Sequence, residues 1–311
     1  MTDSRKSIVV VGSINMDMVA HSSQIPVAGQ TVIGTGFDTT PGGKGANQAV
    51  AAARLGYPVA MVGAVGAPCK DNTDVFGQVL LDKLASAGVR TEAVVRIPGP
   101  SGVASIIVAE NGENSIVVIP GANGKMDSAA IDLQAALIRS AGMVLCQLEL
   151  PIETVAHTLV LCAQASIPVI LDPAPAAPLP DAVFHQIAWF TPNETEAAFY
   201  LGEKSSPENS AQRLLDKGLQ GVVLKLGAEG SYVAIRGKAA RVKSFPVQAI
   251  DSVGAGDCFN GAFAVALLEG KDPWAAARFA SAAAAISVTR HGAQASMPSR
   301  AEIDAFIAKH R

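Results

Sequence analysis

The sequence lacks the features that mark secreted, membrane-spanning or nucleic-acid-binding proteins. Its four cysteines form no Cys-x-x-Cys pair and accompany no histidine cluster, so we expect Cys69, Cys146, Cys162 and Cys258 to be reduced thiols. No apolar run reaches the ~18 residues of a membrane span, and residues 1–7 carry no signal-peptide core. The net charge is −3, without the basic surface of a nucleic-acid binder. We expect a cytoplasmic protein with no nucleic-acid or membrane partner.

Aromatic residues are also scarce, at 5 % of the chain, whereas 49 % of its residues are hydrophobic. A core rich in alanine and valine suits helices that pack closely on a sheet. The 311 residues can form one large α/β domain, and no linker, repeat or low-complexity tract divides them. We therefore predict a single domain over residues 1–311.

Short apolar runs alternate with segments of helical spacing. The predicted buried strands are Ser7–Gly12, Pro58–Val65, Met143–Gln147, Pro168–Asp172, Ala188–Thr191 and Gly221–Leu226. The predicted helices are Gly43–Gly56, Asp74–Ala87, Ile152–Gln164, Glu194–Leu201, Pro207–Lys217, Ala255–Glu269, Pro273–Val288 and Arg300–Lys309. This alternation predicts an α/β fold with a mostly parallel central sheet between two layers of helices.

Two stretches, about 14–38 and 94–119, depart from this pattern. They are rich in Val, Ile, Thr and Gly, and the second contains a hairpin signal around Glu110–Asn114. We predict that they form a small projecting sheet, which could lie over a site as a lid. An extra edge of the main sheet is the alternative.

The motif that indicates function most strongly is Asp251-Ser-Val-Gly-Ala-Gly-Asp257, which ends where a helix of small residues begins. Free amides of Ala255, Gly256 and Asp257 at the helix start would form an anion site. Asp257 is either the N-cap of this helix or a base that takes a proton from an attacking hydroxyl. The motif alone leaves both interpretations open.

Three weaker motifs accompany it. Pro41-Gly-Gly-Lys-Gly-Ala-Asn-Gln48 opens a helix and offers an amide and a cation, or it is a plain helix-start turn. Thr191-Pro-Asn-Glu-Thr-Glu196 follows a strand, where Glu196 could hold magnesium through waters or simply cap a helix. Lys225-Leu-Gly-Ala-Glu-Gly230 is a strand end that could pass close to a nucleotide. The Rossmann, Walker A, nucleophile-elbow and His-Glu-x-x-His motifs are absent from the sequence.

Taken in this order along the chain, the four motifs resemble the ribokinase family of carbohydrate kinases, also called the PfkB family. The resemblance runs from Val9 to Phe306 and implies a ribokinase-like α/β/α fold. It also implies transfer of a phosphoryl group from ATP to the 5-hydroxyl of ribose, with Mg²⁺ accompanying ATP and K⁺ as activator. The projecting sheet would be the lid that pairs two subunits into a homodimer.

The resemblance implies a role for each matching residue. Asp257 would be the base, with Gly254, Ala255 and Gly256 forming the anion hole. Ribose would bind to Asn15, Asp17, Gly43, Lys44, Asn47, Glu149 and Asp257. ATP would contact Asn193, Lys225, Gly227, Gly230, Gly256 and Ser281, with Glu196 near Mg²⁺. K⁺ would lie among Asp251, Val253, Ser287, Arg290, Gly292 and Ser296, several of them acting through backbone carbonyls.

Some departures and rival functions accompany the resemblance. The 66–74 loop is longer than the family pattern, and Lys225 stands where threonine is common. Within the enzyme class the rivals are 2-deoxyribokinase, fructokinase and adenosine kinase. Asn15 beside Asp17 favours a ribose-like polyol, and few aromatic residues are available to stack on a nucleoside base. A catalytically silent sugar or nucleotide sensor is the alternative from a different class, although a sensor does not need Asp257. A Rossmann dehydrogenase lacks its fingerprint here.

Overall fold

The computed structural model describes residues 6–68 and 72–310, so Cys69 and part of the 66–74 loop lie outside it. Fourteen strands, numbered in chain order, occur in the described residues. They are β1 Ile8–Val11, β2 Asn15–Ser22, β3 Gly34–Gly42, β4 Val59–Ala67, β5 Val89–Arg90, β6 Val94–Pro98, β7 Gly102–Ala109, β8 Asn114–Ile119, β9 Met143–Cys146, β10 Val169–Leu171, β11 Trp189–Phe190, β12 Gly221–Lys225, β13 Ser231–Ile235 and β14 Lys238–Val242.

The α-helices of the described residues mostly begin and end close to the predicted positions. They are α1 Lys44–Arg54, α2 Val75–Ser86, α3 Ser128–Asp132, α4 Ala135–Arg139, α5 Ile152–Gln164, α6 Glu194–Leu201, α7 Pro207–Asp216, α8 Ala255–Leu268, α9 Pro273–Ser287, α10 Ala293–Ser296 and α11 Arg300–Lys309. The three short helices α3, α4 and α10 were not predicted, because four or five residues are too few to show a helical period.

The central sheet has the strand order β14-β13-β12-β11-β10-β9-β1-β4-β5, with β6 also paired to β4. Every pairing from β12 to β5 along this order is parallel, as is that of β4 with β6; β13 and β14 add an antiparallel hairpin at one edge. This hairpin was not predicted from the sequence. The mostly parallel sheet itself is confirmed.

The inner strand β1 shows why helices cover both faces of the sheet. Ile8 and Val10 pack into one hydrophobic cluster with α1, α8 and α9, while Val9 and Val11 pack into another with α5 and α7. Successive side chains of a strand point to opposite faces, so a continuous run of Ile and Val requires a layer on each side. The predicted α/β/α layering is therefore confirmed.

A second, four-stranded sheet has the order β3-β2-β7-β8. The predicted hairpin of β7 and β8 is antiparallel, while β2 and β7 pair in parallel. The predicted bounds need correction, since β3 continues to Gly42 and Val94–Pro98 belongs to the central sheet through β4. Both stretches have the same β-branched composition, so sequence could not assign each strand to its sheet.

The described cysteines Cys146, Cys162 and Cys258 are buried and free, as expected. Within the part of the chain that the structure describes, no helix combines the length and apolarity that crossing a bilayer requires.

Candidate active site

Asp257 lies in the first turn of α8 with only 5 % of its surface exposed. The N-cap position is Gly254, and Asp257 does not cap the helix. Its Oδ2 accepts a hydrogen bond from Asn47 Nδ2 at 3.0 Å, and its Oδ1 accepts one from Gln48 Nε2 at 3.1 Å. The carboxylate is thus a buried group held by side chains of α1, so the helix-cap interpretation is wrong.

Burial is the largest influence on Asp257 and raises its pKa to about 6. The Lys44 ammonium lowers the pKa, the Asp172 carboxylate raises it, and the amides of Asn47 and Gln48 lower it again. A carboxyl with this pKa is ionised at neutral pH yet more basic than a solvent-exposed aspartate. Those are the properties of a general base that works near pH 7.

The turn before α8 presents backbone amides at the positive end of the helix. Gly254 has φ 73°, and a Cβ there would lie 2.9 Å from that of Ala293, so this turn requires glycine. The Ala255 amide donates to the Ser252 carbonyl at 3.2 Å, which corrects our expectation that it is free. The first i→i−4 bond of the helix comes from Cys258, so the amides of Gly256 and Asp257 precede it at the positive end of the helix, where an anion could bind.

The predicted sugar-binding residues meet where the chain passes from β1 of the central sheet to β2 of the small sheet. Asn15 and Asp17 are two apart on β2 and share one face of it. The Glu149 carboxylate accepts from the Ser13 hydroxyl and from the Lys44 amide at 3.1 Å. Gly43, with φ 87°, is the N-cap of α1, and its ideal Cβ would lie 2.7 Å from the Asn15 amide nitrogen. The glycine therefore allows α1 to start against β2.

The pKa values of Asp17 and Lys44 are both shifted from their ordinary values. Burial, followed by the nearby carboxylates of Glu149 and Asp257, raises the pKa of Asp17 to about 7 despite the Lys44 ammonium. Burial would lower the pKa of Lys44, but the surrounding carboxylates, led by Asp257 and Asp172, raise it above its ordinary value. Lys44 is therefore a fixed cation among four carboxylates.

A cavity of about 390 Å³ lies between the two sheets. Its polar wall includes Asn15, Glu149 and Asn123, and Val118 of β8 reaches it from the small sheet. The small sheet thus covers a cavity with hydrogen-bonding groups on one side, which is the geometry expected of a lid.

The predicted nucleotide residues lie on neighbouring strand ends. Asn193 and Lys225 are bridge partners, and the Lys225 amide donates to the Pro192 carbonyl at 2.8 Å. Gly227 and Gly230 flank the turn between β12 and β13, both with positive φ. Ser281 is different, because it is buried within α9.

Glu196 has the capping role that the sequence left open. Asn193 and Glu196 form a reciprocal capping box at α6, and both carboxylate oxygens of Glu196 accept hydrogen bonds from Asn193. Burial is the largest influence on Glu196 and raises its pKa. Each oxygen retains a second lone pair, so the group could still receive a magnesium-bound water.

Lys225 makes a buried ion pair. Its Nζ lies 2.9 Å from Asp172 Oδ1, and the side chains are 17 % and 3 % exposed. A Cβ on Gly256 would lie 3.5 Å from the same Nζ. The ammonium therefore lies beside the amide turn of α8, at the place where an anion would bind.

The six predicted potassium residues are brought close together by two loops. Asp251 accepts from the Val253 amide at 2.9 Å and from the Gly292 amide at 2.8 Å, which ties the loop before α8 to the loop after α9. Arg290 donates to the Ser296 carbonyl at 3.5 Å, and Ser287 ends α9. Among the described residues, no cluster of three or more His, Cys, Asp or Glu side chains is placed to hold a metal ion.

Sequence reasoning missed several polar residues of the site. Gln48, Gln147, Asp172 and Gln294 are 7 % exposed or less and connect to one another or to Asp257 through Asn47. Two of them could have been suspected from their positions: Gln48 directly follows Asn47, and Asp172 lies at the carboxyl end of β10. From sequence alone, nothing indicates that Gln48 bonds to Asp257 or that Asp172 bonds to Gln48.

The model of pfkB family carbohydrate kinases matches residues 5–300 of the chain. The chain belongs to this family. The match spans both sheets and every motif named above, so the pfkB assignment applies to the whole fold.

Two curated relatives and one solved structure refine this result. Ribokinase of Bacillus subtilis is 44 % identical over 307 residues, covering 97 % of this chain and 99 % of the relative. Deoxyribokinase of Salmonella typhimurium is 36 % identical, covering 96 % and 98 %. The structure of Arabidopsis thaliana ribokinase complexed with ribose and ATP matches with a TM-score of 0.89 at 34 % identity, covering 97 % and 99 %. This pfkB member is a sugar kinase of the ribokinase type.

Proposed function

We propose that the chain transfers the γ-phosphoryl group of ATP to the 5-hydroxyl of D-ribose, giving ribose 5-phosphate and ADP. The observation that carries this is the Asp257 carboxylate, buried beside the amide turn of α8 and between sugar-side and nucleotide-side residues. The likeness to ribokinases from several organisms supports ribose as the substrate.

Asp257 takes the proton of the 5-hydroxyl as its oxygen bonds to the γ-phosphorus. The bond from the γ-phosphorus to the β,γ-bridging oxygen breaks, and ADP leaves with that electron pair. The amides of Gly256 and Asp257 and the ammonium of Lys225 stabilise the negative charge on the phosphoryl oxygens. Lys44 lies among the sugar-side carboxylates and keeps Asp257 ionised.

The choice of sugar is tested by a coupled assay of ADP release with ribose, 2-deoxyribose, fructose and adenosine. We expect ribose to have the highest kcat/KM, since Asn15, Asp17 and Glu149 offer separate hydrogen-bonding groups for a polyol. A higher value for 2-deoxyribose would make the chain a deoxyribokinase, and no turnover with any sugar would favour the sensor.

Asp17 gives sugar binding a pH dependence. With a pKa of about 7, its carboxylate is mostly protonated at pH 6 and ionised at pH 8, where it can accept two sugar hydroxyls. We expect the Kd for ribose, measured by calorimetry without ATP, to fall about tenfold between these pH values. Asp17→Asn should bind ribose about tenfold more weakly at pH 8 and lose this pH dependence. An unchanged affinity would remove Asp17 from the sugar site.

Magnesium would accompany ATP on the side of Glu196. When bound, the ion would neutralise phosphate charge and orient the γ-phosphoryl group. Glu196 fits an outer position better than direct ligation, because both of its oxygens already accept hydrogen bonds from Asn193.

Potassium would bind between the loops joined by Asp251, next to the amide turn. Carbonyl oxygens suit K⁺, and an ion there would fix the turn that leads into α8. We expect replacement of K⁺ by Na⁺ to lower kcat several-fold, whereas Asp251→Ala should be slower and indifferent to the cation. Equal kcat values of the parent protein in both salts would contradict the site.

The small sheet would act as the lid and as the contact of a homodimer. β8 exposes Ile116, Val117, Val118 and Ile119 by 42–61 %, and Phe37 of β3 is 60 % exposed. Of these, Val117, Ile119 and Phe37 lie on the face opposite Asn15 and Asp17, and a second copy of this sheet would bury them.

A further inference from the structure

Gln48 contacts two carboxylates with one nitrogen. Its Nε2 donates to Asp257 Oδ1 and to Asp172 Oδ2, both at 3.1 Å, and the residue is fully buried. The amide nitrogen carries two N–H groups, so each carboxylate can accept a hydrogen bond from a different one.

The orientation of this amide is fixed by a third group. Gln48 Oε1 accepts from Gln147 Nε2 at 2.8 Å, so the nitrogen of Gln48 must face the carboxylates. Asn47 is held in a similar way, because its Oδ1 accepts from Gln294 Nε2 at 3.2 Å while its Nδ2 donates to Asp257 Oδ2. Each oxygen of the base therefore has one donor, and each donor is locked by a further glutamine.

The same chain of contacts reaches the nucleotide side. The second oxygen of Asp172 accepts from Lys225 Nζ at 2.9 Å, and that ammonium lies next to Gly256. Two buried side chains, Gln48 and Asp172, thus join Asp257 to the Lys225 ammonium beside the amide turn of α8.

We propose that Gln48 is a positioning residue, oriented by Gln147 and hydrogen-bonded to Asp172, that holds the Asp257 carboxylate in register with Lys225. It contacts neither sugar nor phosphate and acts through the base. This inference rests on the proposed function of Asp257.

The test compares Gln48→Met with Asp172→Asn at saturating ribose and ATP across a pH series. Methionine keeps the volume and removes both donors, so kcat should fall about tenfold with little change in either KM. Losing a donor to the ionised base should also move the acid limb of kcat to higher pH by about half a unit or more. Asp172→Asn removes a negative charge beside the base, so its acid limb should move to lower pH.

The other charged and polar groups facing Asp257 are unchanged in both variants. They are Lys44 and Asn47 from α1 and Asp17 from β2. Opposite shifts of the limb therefore report on Gln48 and Asp172, and a loss of packing alone would not produce them.

Asn260→Leu is the matched control. Asn260 is fully buried one turn further along α8, and neither of its amide atoms has a hydrogen-bond partner in the described structure. This variant should leave the acid limb unmoved. The inference is overturned if the limbs of Gln48→Met and Asp172→Asn coincide with that of the parent protein. If Gln48→Met does not fold, Gln48→Asn replaces it, because the shorter amide cannot reach both carboxylates, and its acid limb should also move to higher pH. If instead the proposed function of Asp257 is wrong, Asp257→Ala would retain activity, and this result distinguishes that failure from failure of the Gln48 inference.

Discussion

Asp257→Ala should lower kcat by about a thousandfold while leaving the KM for ATP nearly unchanged. The substitution removes the proton acceptor for the sugar hydroxyl, but it leaves the amides of Gly256 and residue 257 in place to bind phosphate. Steady-state assays with ribose and direct ATP titration measure the two effects separately.

The fold should tolerate this change. Burial raises the pKa of Asp257 to about 6, so its ionised form is destabilising in the folded protein relative to the unfolded chain above that pH. We therefore expect urea denaturation at pH 7.5 to show little loss of stability. Kinetics within tenfold of the parent protein would contradict the role of the base.

Lys225→Met should be the most destabilising of the proposed variants. It leaves the Asp172 carboxylate, 3 % exposed, without its cation. Breaking a buried pair in this way costs about 3 kcal/mol or more, even though Gln48 continues to donate to Asp172. The KM for ATP should rise as well, because the ammonium beside Gly256 is lost.

A double-mutant cycle separates the ion pair from packing. Adding Asp172→Asn to Lys225→Met removes the stranded charge and should recover at least half of the lost free energy of unfolding. Asp172→Asn alone should cost less than Lys225→Met, because the Lys225 side chain is 17 % exposed and keeps some water. A loss below about 1 kcal/mol for Lys225→Met would show that the pair contributes little to stability.

The sequence predicted most of the fold because the core strands are continuous apolar runs. β1, β9 and β10 could be read from Val, Ile and Leu alone, and the long helices from glycine and proline at their ends. The β13–β14 hairpin is local, but β14 is mostly exposed and has no buried apolar run, so the sequence did not reveal it. The place of Val94–Pro98 could not be predicted, because it depends on pairing with β4, a strand from another part of the chain.

Some residues of the candidate site could be predicted from the sequence and others could not, for a physical reason. Asp257, Asn47 and Lys44 lie in glycine-rich motifs, and such motifs can be recognised in the sequence because the turns they form require glycine. Gln48 and Asp172 matter through contacts across 124 residues of chain, and nothing local distinguishes a buried amide that holds a base from one that only fills space. The roles in binding and catalysis at Asp257, Asp17 and the potassium loop remain predictions.

Asn15 and Asp17, at the edge of the site, both belong to β2, an inner strand of the small sheet. A sugar that binds these two side chains would therefore contact the small sheet directly. The proposed nucleotide contacts all lie in the main body of the protein. Closure should then follow the acceptor, and ATP bound alone would face an open site. This arrangement would guard the cell against futile hydrolysis of ATP by water.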